Sequence, residues 1–188
     1  MASISTNDIK SGSKLLIDGD PYNVINNEAV KPGKGQAFNR IKMRNLKTSR
    51  VVEKTFKSGE SFELADILEK SVSFLYEDGQ LWHFMDEQYE QVEASSTAVG
   101  ETAKWLKEED HCMILLWNES PISVTAENFV ELKVKECEPG VKGDTVSGAM
   151  KMAQVETGAS IKVPLFINKG DVLKIDTRTG EYVSRVKG

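Results

Sequence analysis

Residues 37–59 read AFNRIKMRNLKTSRVVEKTFKSG. Through Arg40-Ile41-Lys42-Met43-Arg44 the residues alternate, with Ile41 and Met43 on one face and Arg40, Lys42 and Arg44 on the other. A period of two is the period of a strand, whose successive side chains point to opposite sides. The polar run at Lys47–Ser49 reads as a turn, and SRVVEKTFKSG reads as the partner strand. This stretch is therefore a β-hairpin with one dry face and one cationic, solvated face.

The same reading extends in both directions. KLLIDGDPYNVIN places Asp18-Gly19 between two apolar runs, the strongest short-range hairpin signal. SVSFLYEDGQLWHFM turns at Asp78-Gly79, with Val72, Phe74 and Tyr76 on one face of its first strand. CMILLWNESPISV forms a further pair with its turn across Asn118–Pro121, and DVLKIDTRTGEYVSRV turns at Thr177–Gly180. GETAKWLKEED is the one stretch of good helix formers, and predicts a short helix that buries Trp105 and Leu106. Short strands with regular turn signals predict an all-β chain of barrels or sandwiches.

Charge divides the chain. Residues 1–65 hold 11 Lys and Arg against 7 Asp and Glu, a balance of +4; residues 66–128 hold 3 against 14, or −11; residues 129–188 hold 10 against 8, or +2. Within 29–57 there are nine basic residues and one acid, Glu53. These blocks predict three small β-barrel domains, 1–65, 66–128 and 129–188. Cores of that size are marginal in isolation, so packing between neighbours is expected to help. The first block offers a basic face suited to phosphate, bound in a salt-dependent way. The acidic middle block would be repelled by phosphate.

The sequence carries no signature of an enzyme. PGKG lacks the earlier glycine and the following Ser or Thr of a phosphate-binding P-loop, and G-x-S-x-G and H-E-x-x-H are absent. Cys112 and Cys137, 25 positions apart, match no metal spacing and read as free structural thiols. His83 and His111 sit in strand-like contexts without a nucleophile or carboxylate arrangement that reads as catalytic. No catalytic residue, metal or cofactor is expected. No 18-residue apolar run exists, so no transmembrane helix is expected. MASISTNDIKSGSK lacks the apolar core of a secretory signal, and a cytoplasmic monomer is expected.

The remaining feature is VKPGKGQAF, residues 30–38. Pro32 fixes its own φ and pushes Lys31 toward extended geometry. Gly33 and Gly35 permit positive φ and leave no side chain beside Lys34. With Val30 before it and Ala37 and Phe38 after it anchored in strands, Lys31, Pro32, Gly33, Gly35 and Gln36 form a tip presenting Lys34. On physics alone, an ordinary turn with an incidental lysine explains it equally well.

VKPGKGQAF, RVVEKTFKSGE, LWHFM, AKWL, PISVTAENFVEL, PGVKGDT and IKVPLFINKGDVLKIDTRTGEYVSRV together resemble the bacterial translation elongation factor P family, from about Ser5 to Lys187. The resemblance implies an SH3-like (KOW-like) first domain and two OB-type domains in an L resembling tRNA in outline. It implies binding to the 70S ribosome between the peptidyl and exit tRNA sites, and relief of stalling at consecutive prolines. Lys34 is implied to be modified, by β-lysylation from a lysyl-tRNA-synthetase-like enzyme, with or without a hydroxyl. Its arm would reach the CCA end of peptidyl-tRNA, tRNA-Pro in this setting. Arg40, Lys42 and Arg44, with Lys31, become candidates for tRNA or ribosomal RNA phosphates, as do Tyr182 and Arg185 for the anticodon-stem end. Gly143, Asp144 and Thr145 match the family loop that approaches the mRNA codon in the exit site. The rival reading is a general RNA-binding OB/SH3 protein with no role at prolines.

Overall fold

The computed structural model describes residues 1–140 and 148–187. The described residues are almost entirely β and form three sheets, two of which curl as half-barrels. It divides into two compact units, Met1–Lys70 with Leu115–Ser123, and Ser71–Ile114 with Val124–Gly188.

The first sheet contains β1 (Ser3–Ser5), β2 (Lys14–Ile17), β3 (Asp20–Val30), β4 (Phe38–Asn45), β5 (Val51–Lys57) and β6 (Ser61–Leu64), in the order β1-β6-β2-β3-β4-β5. The alternation in β4 is realised fully: Ile41 and Met43 are buried, and Arg40, Lys42 and Arg44 are exposed. β4 pairs with β5 from Phe38↔Lys57 to Arg44↔Val51. Their turn is organised by Asn45, whose Oδ1 accepts the backbone N–H groups of Lys47 and Thr48 at 2.8 and 3.0 Å. The β2–β3 hairpin turns on two residues, Asp18 (φ 52°) and Gly19 (φ 81°). Two left-handed residues in a row suit the right-handed twist of the flanking strands. Ile9, Leu15, Ile17, Val24, Ile41 and Met43 form the core, with Phe56 and Phe62 packed edge-to-face beside it at 4.7 Å.

The second sheet contains β7 (Ile67–Glu77), β8 (Leu81–Asp86), β9 (Gln91–Ser95), β10 (His111–Trp117) and β11 (Ser120–Ala126), ordered β11-β10-β7-β8-β9. The β10–β11 turn is tighter than the sequence suggests. Only Asn118 (φ 47°) and Glu119 (φ 67°) form it, and Ser120 and Pro121 already belong to β11. The helix expected at 100–110 is realised only over its first five residues, as a 3-10 turn, and a short α-turn precedes it. A single α-turn, α1 (Ser96–Val99), is capped by the Ser95 hydroxyl, which accepts the Ala98 N–H at 3.2 Å. A 3-10 turn follows over Gly100–Lys104. Gly100 caps the α-turn in a positive-φ conformation and is also the first residue of the 3-10 turn. Trp105 and Leu106 are buried as expected, from a position just beyond these turns.

The third sheet contains β12 (Phe129–Cys137), β13 (Met150–Val155), β14 (Ser160–Pro164), β15 (Val172–Asp176) and β16 (Glu181–Val186), ordered β14-β13-β12-β15-β16. Leu132, Val134, Val155, Val163, Leu173 and Ile175 are its buried centre. β15 and β16 are joined at 177–180, as the sequence predicts.

Candidate functional site

β3 and β4 pair as far as Val30↔Phe38, and the seven residues 31–37 between them form the lysine loop. Residues 31–36, Lys34 included, are exposed. No hydrogen bond or ion pair involving 31–36 occurs among the described residues. The root is held on one side, where the Ser58 N–H donates to the Ala37 carbonyl at 3.2 Å. Of the two glycines only Gly35 uses its freedom, at φ 127°, and a Cβ there would lie 3.5 Å from Pro32 Cγ. Gly33 does not adopt a positive φ, and a Cβ on it would meet nothing within 4 Å. Lys34 thus stands between one glycine that the backbone requires and one that only keeps space open.

Below the loop, β4 carries Arg40, Lys42 and Arg44 on its exposed face. Their availability differs. Arg40 lies 3.6 Å from Glu28 across β3 and 3.8 Å from Glu53 across β5. Lys42 and Arg44 form no ion pair among the described residues. Counting charges in the sequence missed Glu28, which stands outside the basic stretch in sequence but directly opposite Arg40 in register. The signal was latent: once Val30 pairs with Phe38, stepping two residues along each strand pairs Glu28 with Arg40.

Tyr182 and Arg185 lie on β16 in the other compact unit. A bulge shifts the register between Lys174 and Ile175, so that Ile175 opposes Tyr182 and Leu173 opposes Arg185. Cross-strand partners share a face, so residues three apart in sequence come to the same side. Arg185 is already engaged, 3.6 Å from Asp171 and 5.3 Å above the Phe166 ring. Gly143, Asp144 and Thr145 lie outside the described residues.

The remaining titratable groups read as structural. His83 is buried, with Nε2 2.7 Å from Asp78 Oδ2, Nδ1 3.5 Å from Glu93, and its ring stacked on Tyr76 at 4.4 Å. Asp78 accepts the Leu81 and Gln80 N–H groups as well as the His83 contact, which holds its carboxyl down at about 2. His111 is exposed and contacts Ser73 at 3.3 Å. Burial, reinforced by Asp110 and Glu127, pushes the Cys112 thiol up to about 12, which makes it inert at neutral pH. Cys112 and Cys137 are both free. No cluster of metal-ligating side chains occurs among the described residues, and no helix is long and apolar enough to cross a membrane.

About two thirds of the chain shares its fold with solved structures. The chain superposes on "Eukaryotic translation initiation factor 5A from Methanococcus jannaschii" with a TM-score of 0.53 at 21% identity, over 66% of this chain and 92% of that one. It superposes equally on "Translation initiation factor eif-5a family protein from Naegleria fowleri ATCC 30863", with a TM-score of 0.54 at 12% identity, over 66% of this chain and 97% of that one. The family itself is fixed by sequence. Residues 5–62 match the elongation factor P KOW-like domain, 67–124 the elongation factor P OB domain, and 130–185 the elongation factor P C-terminal domain, in that order. The chain belongs to the elongation factor P family of translation factors.

Proposed function

We propose that this chain binds the ribosome between the peptidyl and exit tRNA sites and relieves stalling at consecutive prolines, with Lys34 as its working residue. The observation that carries the reading is the exposed, unbonded lysine loop standing over a cationic strand, in the domain that matches the family's KOW-like model. Proline is a poor nucleophile in peptide transfer because its ring restricts alignment with the peptidyl ester. A factor can help without donating or accepting a proton, by holding the CCA end of peptidyl-tRNA, tRNA-Pro here, in a reactive geometry. Orientation of this kind is worth several kcal/mol of barrier, up to about 7–11 in well-oriented systems.

Lys42 and Arg44, with Lys31, would meet tRNA or ribosomal RNA phosphates, and Arg40 would hold its place between Glu28 and Glu53. Tyr182 and Arg185 would lie toward the anticodon end, and 143–145 toward the exit-site codon. A bare lysine is short for the reach required. A β-lysyl addition on Lys34, installed by a lysyl-tRNA-synthetase-like enzyme with or without a hydroxyl, would extend the arm and keep its cationic, hydrogen-bonding end. No catalytic side chain, metal or cofactor enters this reading.

The test is synthesis of a peptide containing Pro-Pro-Pro on purified ribosomes, with the modified protein and with Lys34→Ala. The reading expects the variant to keep its melting temperature and lose rescue. Full rescue by Lys34→Ala would leave a general RNA-binding protein as the better account.

A further inference from the structure

A buried polar cluster lies directly under the lysine loop. Asn39 is 1% exposed and sits one ladder pair below Val30↔Phe38. Its Nδ2 donates to Asn27 Oδ1 at 3.0 Å and reaches the Thr6 carbonyl at 3.4 Å. Asn27 Nδ2 donates to the Thr6 carbonyl at 2.8 Å and to the Ile9 carbonyl at 2.9 Å. Thr6, fully buried, donates its hydroxyl to the Lys57 carbonyl at 3.2 Å and accepts the Gly59 N–H at 2.8 Å. Both strands that carry the loop, β3 through Asn27 and β4 through Asn39, are thereby tied to the carbonyl of Thr6, whose hydroxyl and N–H are bonded in turn to the end of β5 and the turn after it.

The cluster is costly for a small domain. Asn39 Oδ1 is buried without a partner, and such a group loses its hydration with no return. The core just below is apolar, so an apolar residue would avoid that cost. Apolar packing tolerates sliding and repacking, whereas hydrogen bonds fix distance and direction. Asn27 faces inward only because a bulge between Val24 and Asn26 changes the parity of β3, setting Asn27 opposite the buried Ile41. The loop above contains no hydrogen bond of its own among the described residues. Its direction is therefore inherited from its two roots.

We propose that Asn39 and Asn27 are positioning residues for Lys34, locking the two roots of the loop so that the arm leaves the sheet in one direction. This rests on the reading of Lys34 given above. The test uses the full-length, modified protein with Asn39→Ala and, separately, Asn27→Ala. Nitrogen-15 relaxation reports the order of the Lys34 and Gly35 amides. The Pro-Pro-Pro assay, run across factor concentrations, separates the saturating rate from the half-saturating concentration.

The expected result is reduced order confined to 31–37, a saturating rate lower by about tenfold as orientation is lost, and a half-saturating concentration within about twofold of wild type because the phosphate-facing cations remain. Unchanged loop order in both variants overturns the proposal. So does a lowered melting temperature with a wild-type saturating rate, which is what a purely structural role gives. If Asn39→Ala fails to fold, Asn27→Ala decides alone by the same criteria. Lys34→Ala measured alongside separates the two ideas: its full rescue would refute the role of the lysine, while the relaxation data still decide whether the asparagines order the loop.

Discussion

The Asp78–Gln80 turn and the 31–37 loop each join two neighbouring antiparallel strands, and they treat their polar groups in opposite ways. In the first, Asp78 accepts two backbone N–H groups and the His83 ring, the Gly79 N–H donates to Glu77 at 2.8 Å, and the Asp78 N–H donates to the Leu81 carbonyl at 3.1 Å. In the second, residues 31–36 leave their donors and acceptors to solvent. A turn whose groups are satisfied within itself stabilises its own hairpin. A loop whose groups are all open contributes little to the fold and is free to serve a partner. The histidine, the more conspicuous residue for an enzymologist, lies on β8 and is bonded to the structural turn through Asp78.

The largest effect expected on the structural side is from His83→Ala. Loss of a buried, stacked and hydrogen-bonded ring should lower stability by about 2–3 kcal/mol. Thermal melting measures it, and the rate of Pro-Pro-Pro synthesis by protein that remains folded should stay at the wild-type value. A rate that fell in proportion would break the comparison and bring His83 back as a functional residue.

Within the loop the two glycines sharpen it further. Gly35→Ala forces a side chain onto a φ of 127° and should cost about 1 kcal/mol or somewhat more. Gly33→Ala meets neither strain nor contact and should melt with the wild type. Equal melting temperatures for the two variants would contradict the loop geometry.

The smallest effect concerns charge. Each free cation that meets a phosphate adds about 0.7–0.9 to the slope of log affinity against log salt. Lys42→Ala and Arg44→Ala should each reduce the ribosome-binding slope by about that amount. Arg40→Ala should reduce it less, because Glu28 and Glu53 already neutralise the guanidinium. Three equal reductions would show that those acids do not hold Arg40 back.

How much of this was legible beforehand depends on the range of the interaction. The face of β4 was readable because one side is dry and the other wet, and Asp18-Gly19 because its conformation is nearly dictated by residue type. The helix was only partly legible because Gly100 closes an α-turn capped by Ser95 and opens only a 3-10 turn that ends at Lys104, and composition alone does not distinguish these. The Asn118-Glu119 turn was blurred because two residues other than glycine adopt positive φ. Glu28 beside Arg40, and the asparagines beneath the loop, depend on strand register and on a bulge in β3. No local pattern encodes either. Lys34 itself was visible as a lysine between glycines, but its lack of any bonded neighbour required the fold.

The central claim is that Lys34 is an unbonded residue held out for modification and for the peptidyl-tRNA end. The most direct measurement is the mass of the peptide containing it, from protein purified out of its native host. The account predicts an increase of one lysyl unit localised to Lys34, with or without one oxygen, and resistance to trypsin after that residue. A bare lysine, cleaved normally, in protein that fully rescues Pro-Pro-Pro synthesis would contradict it.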